Sequence, residues 1–124
     1  MLRRSRTESF LPGAFDLPGG GLDPGESPDD GVKREVMEET GLSTSAVRKL
    51  GERDYQSEPR LKYRKFLIVY LLRPTDQKFQ VTLSPEHDEY RWITCAELSS
   101  VFGSGDLMGG ILQEYFESNH TGII

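Results

Sequence analysis

The chain has 124 residues, of which 35% are hydrophobic and 28% charged, and a formal net charge of -5. That length suits one domain burying roughly two-thirds of its unfolded surface, and the acidic balance argues against a general binder of nucleic acid or of anionic membranes. With Cys95 as the single cysteine, no apolar run of bilayer length and polar sequence straight after Met1-Leu2-Arg3-Arg4, disulfides, paired-cysteine metal motifs, membrane spans and a signal peptide are not expected, and the cytoplasm is the simplest location.

Met1 to Arg4 is too short for a whole strand, and Ser5 to Gly13 reads as a loop. Ala14-Phe15-Asp16-Leu17 then leads into Pro18-Gly19-Gly20-Gly21, where glycines could bring bare backbone close to a metal. Phe15 suits core packing and nucleobase stacking about equally.

A helix is bracketed from about Pro28 to Thr40. Ser27 is a good N-cap, Pro28 fits the first helical position, Asp30 lies three residues past the cap, and Gly41 supplies a left-handed stop. Glu35, Glu38 and Glu39 stand at i, i+3 and i+4, so their carboxylates share a face, while Val32 and Val36 mark a face that packs inward. Glu38 and Glu39 crowd the negative end of the helix dipole, and Arg34 can offset only part of that through Glu38. A local rule broken so consistently is expected at functional sites. Clustered carboxylates suit a hard cation such as Mg²⁺, which is shared between a few carboxylates and substrate phosphates.

Ser43 to Tyr55 reads as a strand with polar edges and Gln56 to Pro59 as a turn. Lys62 to Leu72 is the strongest strand signal, an apolar run ended by Pro74 and suited to a sheet covered on both faces. Arg60, Lys62, Arg64 and Lys65 read as a solvated strand edge. Lys78 to Leu83 is a further short strand. In Glu86-His87-Asp88-Glu89-Tyr90-Arg91-Trp92-Ile93, no second histidine is placed to help His87, which is read as structural or solvent-facing. Thr94 and Glu97 form a capping box, Gly103 to Asp106 breaks the chain, and Leu107 to Glu117 is a final helix with Leu107, Ile111, Leu112, Tyr115 and Phe116 as its core stripe. Strands on both sides of a helix, plus a terminal helix, make a mixed α/β domain.

From Gly20 to Leu42 the sequence reads G-x5-E-x7-R-E-U-x-E-E-x-G-U, U being apolar, with Gly20, Glu26, Arg34, Glu35, Val36, Glu38, Glu39, Gly41 and Leu42 in the defined slots. Seven of these slots demand one residue type, a coincidence on the order of once in 10⁸ windows at average usage. This stretch resembles the Nudix box, and the match is complete. The resemblance implies a single Nudix domain over residues 1–124, an α/β/α sandwich with a mixed sheet. It implies Mg²⁺ or Mn²⁺ held by Glu35, Glu38, Glu39 and the Gly20 carbonyl, with Arg34 and Glu26 supporting. The segment from Glu86 to Trp92 is similar to one in many family members, making Glu86 a candidate extra ligand or general base beside the alternative of an exposed loop acid. Arg4 and Phe15 are candidate substrate contacts.

The implied reaction is metal-dependent hydrolysis of a nucleoside diphosphate linked to another group, by attack of water at phosphorus. A (d)NTP releasing a monophosphate and pyrophosphate is the leading substrate. ADP-ribose and dinucleoside polyphosphates are alternatives, Pro59 lying near a proline that some ADP-ribose-cleaving members carry. A non-catalytic Nudix-like domain that binds a nucleotide or a protein is the rival from another class. Met1 to Arg4 resembles the tail of the family's second strand, so the usual first strand is expected to be missing from this sequence, which a short isoform, a misplaced start or a strand lent by a partner would each explain, and one sheet edge is expected to be open to a partner. The expectation is therefore a homodimer whose stability depends on concentration. Sedimentation over a wide concentration range checks it, and a monomer that stays folded at nanomolar concentration would refute it.

Overall fold

The helix that carries the acidic motif is closed by its own local signals. The structure, a computed structural model, describes residues 1–56, 60, 64–77 and 79–119. Helix α1 runs Pro28–Thr40, the span its caps predict. The Ser27 hydroxyl accepts the Asp30 N–H at 3.2 Å, and Gly41, at φ 71°, donates its N–H to the Met37 carbonyl at 2.9 Å. Val36 is buried and Val32 half-buried, so the face expected to turn inward does so.

The strands form two antiparallel sheets. Strand β1 (Leu2–Arg4) lies between β2 (Phe15–Asp16) and β5 (His87–Tyr90), whereas β3 (Thr44–Tyr55) pairs with β4 (Lys65–Pro74) from Thr44↔Pro74 to Tyr55↔Lys65. The register of the β3–β4 pair slips between Ala46 and Arg48 and between Lys49 and Gly51. At the second slip Leu50 is the extra residue, and it packs against the core.

Successive residues of a strand point to opposite faces, and β4 shows what lies on each. Val69 joins the buried cluster that contains Ile111, Leu112 and Phe116 of helix α3 (Leu107–Ser118), while Tyr70 lies close to Asp29 of α1. The two helices thus sandwich the β3–β4 pair. Arg53 pairs with Glu114 at 2.7 Å and Arg48 lies over the Tyr115 ring, fastening β3 to α3. Met1, Ile93 and Leu98, the last from helix α2 (Leu98–Val101), complete the core from the other sheet's side. Ile111 and Leu112 are essentially inaccessible, each worth roughly 1.5–3 kcal/mol of burial.

The α/β class and the sandwich layering match expectation, but several details differ. All three pairings among the described residues are antiparallel, so the parallel pairing of a mixed sheet is not among them. Strand β4 is described from Lys65 to Pro74, and only Val69 along it is buried. Phe66 is 67% exposed. Residues 79–83 form no strand. The backbone of Thr82 and of the following Ser84 serves the end of α1 instead, Thr82 N–H donating to the Thr40 carbonyl at 2.8 Å and Ser84 N–H to the Glu39 carbonyl at 3.2 Å. The last helical carbonyls lack partners within the helix, and they compete successfully for these donors. Residues 57–59 of the expected turn, Lys62 and Lys78 lie outside the described residues. Among the described residues, no helix is long and apolar enough to cross a membrane.

At the chain's other capping site Glu97 accepts both the N–H and the hydroxyl of Thr94, each at 2.8 Å. The turn it caps is a 3₁₀ turn, Cys95–Glu97, leading into α2.

Candidate active site

Three segments far apart in sequence meet at the C-terminal half of α1: the glycine loop after β2, the helix itself and the turn that precedes β5. Arg34 ties the first two together. Its Nε and Nη2 grip the Glu26 carboxylate at 2.8 and 2.9 Å, Nη2 also donates to the Gly21 carbonyl at 3.0 Å, and Nη1 reaches Glu35 at 3.0 Å and Glu38 at 3.2 Å. Such a two-pronged grip is the strong form of an ion pair. The hydrogen bonds from Arg34, joined by the Asp23 N–H, hold the Glu26 carboxyl down at about 2. The surrounding carboxylates raise the Arg34 guanidinium still further above its ordinary range. The arginine therefore fixes the loop on the helix and presents Glu35 and Glu38 at its outer side.

Gly20 stands directly against Glu35. A β-carbon on Gly20 would sit 2.5 to 2.9 Å from the Glu35 carboxyl atoms, closer than real β-carbons approach anything. The loop's glycine is needed here for proximity, because the carboxylate occupies the space of a side chain.

Glu39 turns the other way. It is only 7% exposed, and its Oε2 accepts the Gly19 N–H at 2.9 Å. Burial pushes its carboxyl up to about 7, against that hydrogen bond, and the nearby charges of Glu35, Glu86 and Asp16 push the same way. By contrast the Glu38 side chain is 58% exposed. The three glutamates share a helix face, yet they fall into two environments.

The third segment is pinned at both ends. Ser84 N–H bonds to the Glu39 carbonyl, His87 N–H to the Ser84 carbonyl at 3.1 Å, and Ser5 N–H to the Glu86 carbonyl at 2.8 Å. This holds the 84–87 turn between the end of α1 and the end of β1, and it brings Glu86 and His87 to Glu39. One donor atom from each of Glu39, Glu86 and His87 lies within 4.8 Å of the other two. Glu86 is exposed at the rim, whereas His87 is 8% exposed, and burial lowers its imidazole below the ordinary range.

The structure therefore gathers Gly20, Arg34, Glu35, Glu38, Glu39 and Glu86 at one place. Arg4 and Phe15 stand beside this cluster on β1 and β2, Arg4 opposite His87 in the β1–β5 pair, and each has contacts of its own. Arg4 donates to the Phe10 carbonyl at 2.6 Å and to Glu8 at 3.3 Å, closing its own loop. Phe15 packs against the core with the Arg91 guanidinium 4.6 Å from its ring centroid. Two residues were not singled out as site groups from the sequence. Asp16, whose carboxyl is raised by burial, lies close enough to Glu39 to repel its charge, and its only sequence signal is an acid placed just before the glycine loop. His87 is the other, read as structural or solvent-facing for want of a second histidine; it is buried, with one ring nitrogen near a carboxylate oxygen of Glu39 and of Glu86.

No ion is needed to see why a cation fits. A buried carboxylate surrounded by Glu35, Glu86 and Asp16 is destabilised by its own neighbours, and a divalent charge would relieve all of them together.

Residues 1–110 match the family model described as NUDIX domain. The chain belongs to the Nudix family. It is similar to proteins named RNA pyrophosphohydrolase from Yersinia enterocolitica, at 31% identity, and Photorhabdus laumondii, at 33% identity; each match covers 65% of this chain and 55% of the relative. The chain thus spans little more than half the length of these relatives. The crystal structure of a MutT protein from Methanosarcina mazei Go1 superposes with a TM-score of 0.72 at 30% identity, covering 95% of this chain and 82% of that one. The Nudix box of this chain is the stretch that builds the site above, from Gly20 through the end of α1.

Proposed function

We propose that this Nudix chain hydrolyses a pyrophosphate bond in a nucleoside diphosphate linked to another group, with a (d)NTP as substrate and a monophosphate and pyrophosphate as products. The observation that carries the reading is the meeting of Glu39 and Glu86 across the fold beside the Arg34-anchored pair Glu35 and Glu38. In this reading Glu35, Glu38, Glu39 and the Gly20 carbonyl hold Mg²⁺ or Mn²⁺, with Glu86 at the edge. A bound cation of this kind supplies charge neutralisation for the pyrophosphate and makes water a better nucleophile. Arg34 keeps Glu35 and Glu38 in place. Glu86, exposed beside Glu39, would share one carboxylate oxygen with the ion and take the proton of the attacking water on the other. The water oxygen bonds to phosphorus, and the bridging oxygen leaves with pyrophosphate.

A second reading places the pyrophosphate on RNA. It is favoured by the names of the relatives, and by Tyr90, Trp92 and Phe79, which are 44%, 49% and 47% exposed, with the Trp92 and Phe79 rings 5.0 Å apart. Exposed aromatic rings of this kind can stack nucleobases. The net charge of -5 leaves little attraction for a long RNA, so this reading confines contact to the terminal nucleotides.

Product release measured with and without Mg²⁺ across nucleoside triphosphates, triphosphorylated RNA, ADP-ribose and dinucleoside polyphosphates separates these readings. Turnover of free triphosphates supports the first, and turnover of RNA alone replaces it with the second. No turnover of any of them leaves the chain as a binding domain. On whichever substrate is cleaved, Glu38→Gln is expected to slow turnover by a factor on the order of 10² without lowering the melting temperature, because this exposed side chain supplies charge and not packing. An undiminished rate would remove Glu38 from the ligand set.

A further inference from the structure

We propose that His87 supplies a nitrogen donor to the cation held at Glu39 and Glu86, so that this centre is a mixed oxygen–nitrogen site favouring first-row transition ions such as Mn²⁺ over Mg²⁺. The proposal rests on the reading that a cation sits at these carboxylates.

Two independent features point to it. His87 is 8% exposed, and its Nδ1 is buried with no hydrogen-bond partner among the described residues. A buried imidazole nitrogen without a partner is costly, and native structures rarely leave one so. One ring nitrogen of the same residue lies within 4.8 Å of a carboxylate oxygen of both Glu39 and Glu86. Ligands about 2.0–2.2 Å from one metal are separated by at most about 4.4 Å, so a small inward shift brings the three donors onto a single ion.

The backbone explains why this side chain turns inward. Strand β5 pairs Arg3 with Glu89 and Arg4 with His87, which leaves Asp88 as an extra residue in the ladder. Asp88 and Glu89 are consecutive, yet both reach the Arg3 guanidinium, at 2.7 and 2.8 Å. In a regular strand they would point to opposite faces. The bulge breaks the alternation, holds two acids outside on one arginine and leaves His87 on the buried side against Glu39. Bulges beside active sites commonly re-aim a side chain in this way.

Imidazole is a poor ligand for Mg²⁺, which prefers oxygen, and a good one for transition ions. The chain has two histidines, His87 and His120, so a His120→Gln background leaves His87 as the one imidazole source. In that background, electron spin echo measurements on bound Mn²⁺ are expected to show nitrogen coupling that changes to the ¹⁵N pattern when the protein is grown on ¹⁵N-histidine. This readout needs no substitution at His87. Titration calorimetry is expected to show Mn²⁺ binding tighter than Mg²⁺, with His87→Gln weakening Mn²⁺ by about tenfold or more and Mg²⁺ far less. Mn²⁺ bound without histidine nitrogen coupling would overturn the role of His87 and leave the carboxylate site standing. Binding of neither ion would overturn the cation reading and this proposal with it.

Discussion

Glutamine in place of Glu39 is expected to slow turnover by a factor on the order of 10² or more and yet to stabilise the metal-free protein at neutral and alkaline pH. The two effects have one cause. Burial together with the charges of Glu35, Glu86 and Asp16 raises the Glu39 carboxyl from its ordinary 4.5 to about 7. At pH below about 4.5 both the folded and the unfolded chain keep this proton, so the group contributes nothing to the pH dependence. As pH rises from there towards about 7 the unfolded chain releases the proton while the fold retains it, and stability falls. Above that range the penalty is complete, on the order of 1–3 kcal/mol after allowance for solvent screening. The glutamine side chain carries no such proton, so this part of the slope disappears in the variant. A divalent cation should abolish it in the wild-type protein as well. Thermal melts of metal-free wild type and Glu39→Gln, at mildly acid and mildly alkaline pH, check the sign. A variant no more stable than wild type at alkaline pH would show that the carboxylate is not held at a cost.

Gly20→Val is expected to remove metal-dependent activity while moving the melting temperature little. The valine β-carbon would overlap the Glu35 carboxyl group, whose atoms lie 2.5 to 2.9 Å from its position. What it meets is the end of a flexible side chain and not backbone, so Glu35 can swing away at small cost to the fold. In doing so it abandons its 3.0 Å bond to Arg34 and its place beside the loop. Positioning errors of about 1 Å cost enzymes on the order of 10² in rate. The measurement is turnover and Mg²⁺ affinity beside a thermal melt. Normal turnover in the valine variant would mean that neither the Glu35 carboxylate nor the Gly20 backbone is needed where the structure puts them.

Most of what the amino-acid order determined on its own is local. The bounds of α1 follow from Ser27, Pro28 and Gly41, because caps act within one turn of the helix end. The shared face of Glu35, Glu38 and Glu39 follows from their spacing, and the family follows from the complete box. Burial is not local, and there the tertiary structure decided. Glu38 and Glu39 are neighbours with the same side chain, but only Glu39 is covered, by Gly19 from one side and the 84–87 turn from the other. Residues 79–83 alternate like a strand, but Thr82 gives its backbone donor to the end of α1, a demand that arises only when the helix lies beside it. Phe66 begins an apolar run and still stands in solvent, since an apolar pattern records which residues tolerate burial and not which of them the fold covers. His87 is the sharpest case. No spacing in the sequence links it to Glu39, because a strand bulge around Asp88 and a turn pinned to the helix end bring the two together, and both depend on segments distant in the chain.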